Sequence, residues 1–137
     1  MLKKPIKAYL SHYVRGKDGN KATEETVEAN CAKAIEWSKK LRVYFGSNLD
    51  LYVPAAMDLF PRIALRKGYL NVDQILDIDC TIVSQCDILL IANWGDCISE
   101  GMRRELNTAK QLGIPYRVFT DIEYIDLKAL EIWLEGL

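Results

Sequence analysis

Apolar positions along this chain switch repeatedly between two spacings. Ile6-Lys7-Ala8-Tyr9-Leu10 alternates and predicts a strand over 6–10, followed by a polar loop from Ser11 to Lys21 that holds Gly16 and Gly19. Thr23 is placed to cap a helix, with Glu24 and Glu25 in its positive first turn. Val27, Cys31, Ala34, Ile35, Leu41 and Tyr44 then fall at helical spacing, and Gly46 supplies a stop. Leu49 to Val53 predicts a second strand, closed by Pro54. Between 55 and 71 the apolar residues Met57, Leu59, Phe60, Ile63 and Leu65 are interrupted by Pro61 and Gly68, which predicts a loop carrying a short helix. Val72, Ile75, Leu76, Asp79, Ile82 and Val83 share one face of a helix over 72–85. Residues 87–92 are nearly all apolar, as a strand covered on both sides requires. Ser99 can cap a helix that runs to about Gly113, 115–119 reads as a fourth strand, and 127–134 as a last amphipathic helix.

Strand and helix alternate throughout, without repeats or linkers. This predicts one domain over residues 1–137: a flavodoxin-like, three-layer α/β/α fold on a parallel sheet of four to five strands, in the order 2-1-3-4(-5). Ligands of such sheets sit beyond the carboxyl ends of the strands, where strand order reverses. Here that point lies between the first and third strands, where the loops 11–16 and 93–101 open.

Composition narrows the partners. Eighteen basic residues against 19 acidic ones leave no long-range field that favours a nucleic acid polymer or an anionic membrane. No apolar run approaches the roughly 18 residues of a membrane span, and the first residues lead into a strand without a signal-peptide hydrophobic region, so a cytoplasmic protein is expected. Cys31, Cys80, Cys86 and Cys97 form no Cys-x-x-Cys pair, and His12 is the only histidine; reduced, buried or half-buried thiols and no metal are expected. The loop after the first strand lacks a run of Ser/Thr donors, so flavin binding is not supported and no cofactor is expected.

Candidate chemistry gathers at the two loops. The segment Ser99-Glu100-Gly101-Met102-Arg103-Arg104-Glu105 opens a helix whose free N–H groups suit an anion; Ser99 can add a hydroxyl, and Gly101 can let a ligand approach the backbone. Taken alone, Glu105 reads as a solvated surface charge. Asp79, however, is turned toward apolar neighbours by its helix, unlike Asp73 and Asp77, and a carboxylate is rarely buried without a partner. Asp79 and Glu105 together would place two carboxylates in one cleft, the equipment for cleaving a glycosidic bond. Tyr9 could reach the cleft from the end of its strand, and the guanidinium of Arg15, beside Gly16, suits a phosphate. Trp94 and Tyr13 are candidate stacking surfaces for a base, and each could equally be packing.

Ser99-x-Gly101-x-x-x-Glu105, following an apolar strand and Asp79, with Tyr9 and Arg15-Gly16 ahead of them, resembles the nucleoside 2-deoxyribosyltransferase superfamily, including its 2′-deoxynucleoside 5′-phosphate N-hydrolases and CMP hydrolases. The matches span residues 6 to 119. The resemblance implies that Glu105 acts at the anomeric carbon, that Tyr9 positions it, and that Asp79 orients the sugar or assists the leaving base. It implies that Arg15 and Ser99 hold a 5′-phosphate, with Ser11, Gly16, Trp94 and Gly101 completing the substrate site. His12 and Tyr13 depart from the small residues usual after the first strand of that family, and their bulk is expected to reshape the pocket.

The leading expectation is therefore N-glycosidic cleavage or deoxyribosyl transfer on a nucleoside or its 5′-monophosphate. A nucleotide-binding or sensing module without turnover is the rival, favoured if Tyr13 or His12 fills the sugar site or if Glu105 pairs with an arginine. A purely structural domain of the same fold is a third reading. Tyr52, Met57, Leu59, Phe60 and Trp133 exceed the apolar needs of one small domain, and the superfamily resemblance implies dimers, so a homodimer or higher homo-oligomer is expected.

Overall fold

A computed structural model describes residues 4–15, 21–95 and 97–137. Gly16, expected in the substrate loop, lies outside the described residues.

Among the described residues, four strands form one sheet: β1 (Ile6–Ser11), β2 (Leu49–Tyr52), β3 (Ile88–Ala92) and β4 (Tyr116–Phe119). All pairings are parallel, and the order is β2-β1-β3-β4, as the alternation of elements predicts. The described residues also form five α-helices: α1 (Glu24–Phe45), α2 (Leu59–Arg66), α3 (Val72–Ser84), α4 (Glu100–Leu112) and α5 (Tyr124–Glu135). None is long and apolar enough to cross a membrane among the described residues.

The helix ends follow from their local sequences. The Thr23 side chain accepts from the Thr26 N–H to start α1, and the Ser99 side chain accepts from the Met102 N–H to start α4. Asn71 and Gln74 form a reciprocal capping box on α3. Gly113 ends α4 at φ 70°, the left-handed conformation in which a side chain would be strained. The stretch 54–66 resolves into a 3-10 turn at Pro54–Met57 and then α2. Pro61 is tolerated there because it sits in the first turn, where its missing N–H has no helical partner to lose.

Strand parity divides the core. Ala8 and Leu10 with Ile88, Leu90 and Ala92 face α1 and α5, packing on Ala34, Trp37, Leu41, Leu127 and Leu130. Tyr9 with Leu89 and Ile91 faces the other way, onto Val83 of α3 and onto Met102 and Ala109 of α4. Ser11 shares the parity of Tyr9 and so also faces the α3–α4 side. Every residue of β3 is buried, as its unbroken apolar run requires, whereas β4 is an edge strand with Tyr116, Arg117 and Val118 exposed.

Two expectations are corrected by packing. Tyr52 and Trp133, expected among surplus surface residues, are half-buried: Tyr52 stacks on Tyr9, and Trp133 packs against the α1–α5 core. Cys31 is buried and Cys80 and Cys86 are half-buried, as expected, but Cys97 is exposed.

Candidate active site

The site forms where β1 and β3 end and α4 begins, at the reversal of strand order. Glu105 lies three residues after Met102 and four before Ala109, so the helix turns all three toward the sheet, and all three are buried. Glu105 is 5% exposed. It is thus not the solvated charge that its position taken alone suggests. The Ser11 hydroxyl, fully buried at the end of β1, donates to Glu105 Oε1 at 2.8 Å. Ser11, expected to contact substrate, instead holds the carboxyl group.

Tyr9 is two residues earlier on the same strand face. Its hydroxyl is the one fully buried side-chain polar atom without a hydrogen-bond partner among the described residues. It lies close enough to Glu105 to favour that group's ionised form, yet no contact between them has ordinary hydrogen-bond length and angle. It stands as a donor in reserve for that group. Burial first, and then the negative charge of Glu105 and Asp79, raise the Tyr9 pKa well above its ordinary value, so the phenol keeps its proton.

Burial pushes the Glu105 carboxyl up to about 8; Tyr9 and Ser11 pull it down, and Asp79 adds to the rise. Burial raises Asp79 to about 6. Asp79 is half-buried on α3, while Asp73 and Asp77 are exposed, as their helical phase predicts.

Two adjoining cavities open here. The smaller, about 160 Å³, is lined by both Asp79 and Glu105, together with Arg15, Ser99, Gly101 and His12. The larger, about 420 Å³, shares Val14, Arg15, Pro54, Val72, Leu76 and Asp79 with the first and extends between α1, α2 and α3 past Tyr52. The structure thus brings Asp79, Glu105, Arg15, Ser99 and Gly101 to one space, with Tyr9 and Ser11 directly behind Glu105.

Trp94 does not join them. It packs between Tyr13 and Trp37, at ring-centroid distances of 5.4 and 5.1 Å, with the Lys33 ammonium 5.3 Å from its ring, and it lines neither cavity. Gly101 lines the smaller cavity, but a Cβ there would meet Leu76 Cδ2 at 3.1 Å; its missing side chain lets α4 approach α3.

Tyr13 is 5% exposed and turned under the loop after β3, where its hydroxyl meets the Asn93 side chain and the Cys97 carbonyl. Gly95 permits this, since a Cβ at that position would stand 3.0 Å from the Tyr13 hydroxyl. His12 is also buried: its Nδ1 lies 2.8 Å from the Tyr13 carbonyl, and its Nε2 accepts from the Ala55 N–H at 3.2 Å. That pairing assigns the proton to Nδ1, and burial holds the ring neutral by lowering its pKa. Both bulky residues therefore tie loops together: Tyr13 lies outside both cavity linings, and His12 forms part of the smaller cavity's wall.

Sequence reasoning missed two contributions. Ser11 as a partner of Glu105 could have been suspected from its parity with Tyr9. Tyr52 gave no signal, because its neighbour comes from another strand. Among the described residues, no three His, Cys, Asp or Glu side chains converge to hold a metal ion. Compared with known proteins, the chain matches no family model and no curated sequence.

Proposed function

We propose that this chain cleaves the N-glycosidic bond of a nucleoside or nucleoside 5′-monophosphate, or transfers its deoxyribosyl group, with Glu105 acting at the anomeric carbon. The observation that carries this reading is the meeting of Glu105 and Asp79 in the wall of one cavity. Breaking an N-glycosidic bond builds positive charge on the anomeric carbon. A carboxylate that is poorly solvated at rest gains more from that charge than from the neutral substrate, which is the differential a catalyst needs. Ionised Glu105 attacks or steadies the carbon as the C–N bond breaks, and the bonding pair leaves with the base nitrogen. Asp79 orients the sugar or assists the departing base. Water or a second base then takes the glycosyl group.

The rest of the site fits the same substrate. The smaller cavity, about 160 Å³, is large enough for several waters and so has room for a sugar ring beside the two carboxylates. The larger has the size of a small-molecule pocket and room for a base. Arg15 offers a fork of donors. Ser99 accepts from the Met102 N–H, so its own proton can turn to a 5′-phosphate.

The rival reading, a binding module without turnover, calls for a blocked sugar site or an arginine on Glu105. Tyr13 is turned away, His12 is held in the wall of the smaller cavity by the Ala55 N–H, and Glu105 is bonded to Ser11 and forms no ion pair among the described residues.

We read the protein as cytoplasmic and acting on a small diffusible substrate. Met57, Leu59 and Phe60, 56–77% exposed around the start of α2, support a homodimer built on that face.

The test is incubation with a panel of ribo- and deoxyribonucleosides and their 5′-monophosphates, followed by chromatography for free base, with Glu105→Gln beside the parent. Base released by the parent and not by the variant is the expected result. Nucleotide binding without release from any substrate would transfer the proposal to the sensing module.

A further inference from the structure

Tyr9 is fixed in an unusual way. Its hydroxyl faces Glu105 without a hydrogen bond of ordinary length and angle, so packing has a large share in setting the angle of its ring. On the sheet, Tyr9 pairs in register with Tyr52 of β2, and equal parity places both rings on the α3–α4 face. The rings stack with centroids 5.4 Å apart and planes at 26°. Tyr52 differs from its partner in one respect: it is only half-buried, and it forms part of the wall of the larger cavity. Whatever enters that cavity can therefore press on Tyr52 directly, and on Tyr9 only through it.

We propose that Tyr52 is a positioning residue that holds the Tyr9 ring against Glu105 and links occupation of the larger cavity to the state of the carboxylate. The proposal rests on the reading of Glu105 as the acting carboxylate, and it assigns the face of the base to Tyr52. A flat, π-bearing ligand suits that wall, because an aromatic face stacks on any base without a specific hydrogen-bond pattern.

The titratable and donor groups around Glu105 come from three neighbouring elements. Ser11 and Tyr9 on β1 favour its ionised form and Asp79 on α3 opposes it, while the Cys80 thiol on α3 and the Tyr52 phenol on β2 are themselves raised, by burial first and in part by its charge. Only Tyr9 among them depends on Tyr52 for its place. If Tyr52 lost its ring, Tyr9 could turn, and Glu105 would lose one of the two hydroxyls that favour its ionised form.

The test compares Tyr52→Phe, which keeps the ring, with Tyr52→Leu, which removes it. Glu105 is titrated in each by carbon NMR on protein labelled at glutamate side-chain carboxyls, with Glu105→Gln assigning the signal. This measurement requires no turnover. Tyr52→Phe should leave the midpoint in place, and Tyr52→Leu should raise it by about half a pH unit or more. If base release is found, Tyr52→Leu should also lower kcat roughly tenfold or more, with the rising limb of its pH profile displaced upward, while Tyr52→Phe stays within about threefold.

An unmoved midpoint in a folded Tyr52→Leu protein, with any loss confined to KM, would reduce Tyr52 to a cavity wall and overturn the proposal. Equal damage by both variants would overturn it too, because the hydroxyl rather than the ring would then matter. A shifted midpoint in a protein that releases no base would keep the coupling and remove the proposed reaction. Should Tyr52→Leu fail to fold, Tyr52→Trp, with a larger ring in the same place, must keep the midpoint, and a displaced midpoint there would also overturn the proposal.

Discussion

The Ser11 hydroxyl and the Glu105 carboxyl meet at 2.8 Å although 94 positions separate them in the chain. One ends the first strand and the other lies in the second turn of a helix that follows the third. The bond exists because strands β1 and β3 are neighbours at the point where the sheet reverses its order. It gives a buried carboxyl a donor that favours its ionised form, against the burial that opposes it.

Ser11→Ala removes that donor. The Glu105 pKa should rise further above about 8, and activity at neutral pH should fall in step with the lost ionised fraction, about tenfold for each pH unit of displacement. Rate profiles of parent and variant should converge at high pH. Profiles that differ by a constant factor at every pH would show that Ser11 acts in some other way.

The profile of the parent carries a sign. If Glu105 acts as the carboxylate, kcat should climb as pH rises through about 8, a range in which Asp79, at about 6, is already ionised. A kcat that falls above pH 8 would give Glu105 the part of the acid and Asp79 that of the carboxylate.

Glu105 should also weaken the fold at alkaline pH. Its folded pKa of about 8 lies above the ordinary 4.5, so its contribution to stability is fully present below about 4.5 and is lost as pH rises toward 8. Glutamine has no proton to lose. The Glu105→Gln protein should therefore gain on the parent across this window, by at most about 1.4 kcal/mol per pH unit. Urea unfolding of both proteins at pH 5 and pH 8.5 measures the difference. A gap that does not widen would mean that the carboxyl is solvated in the folded protein.

Assembly is tested at α2. Phe60 is 77% exposed and stands between Leu59 and the Pro61–Arg62 turn of the helix. Phe60→Asp should shift a dimer toward monomer in light scattering at micromolar concentration while leaving the melting temperature of the monomer nearly unchanged, because the residue contributes little to its own core. A parent that is monomeric throughout would remove the dimer from the proposal.

The sequence by itself determined the sheet and one half of the carboxylate pair. The strand–helix alternation, the caps at Thr23 and Ser99 and the stop at Gly113 are local signals, set by side-chain chemistry and backbone freedom within a few residues. Asp79 was legible for the same reason, since its phase on α3 follows from its apolar neighbours. Only the tertiary structure decided the environment of Glu105, whose burial depends on Ser11 and Tyr9 arriving from another strand. It also turned Tyr13 under the loop after β3, assigned Trp94 to packing on Trp37, and placed Tyr52 against Tyr9 in the cavity wall. Those outcomes lie beyond periodicity because spacing along a chain fixes which face a side chain takes, whereas its partners are fixed by which strands the fold makes adjacent.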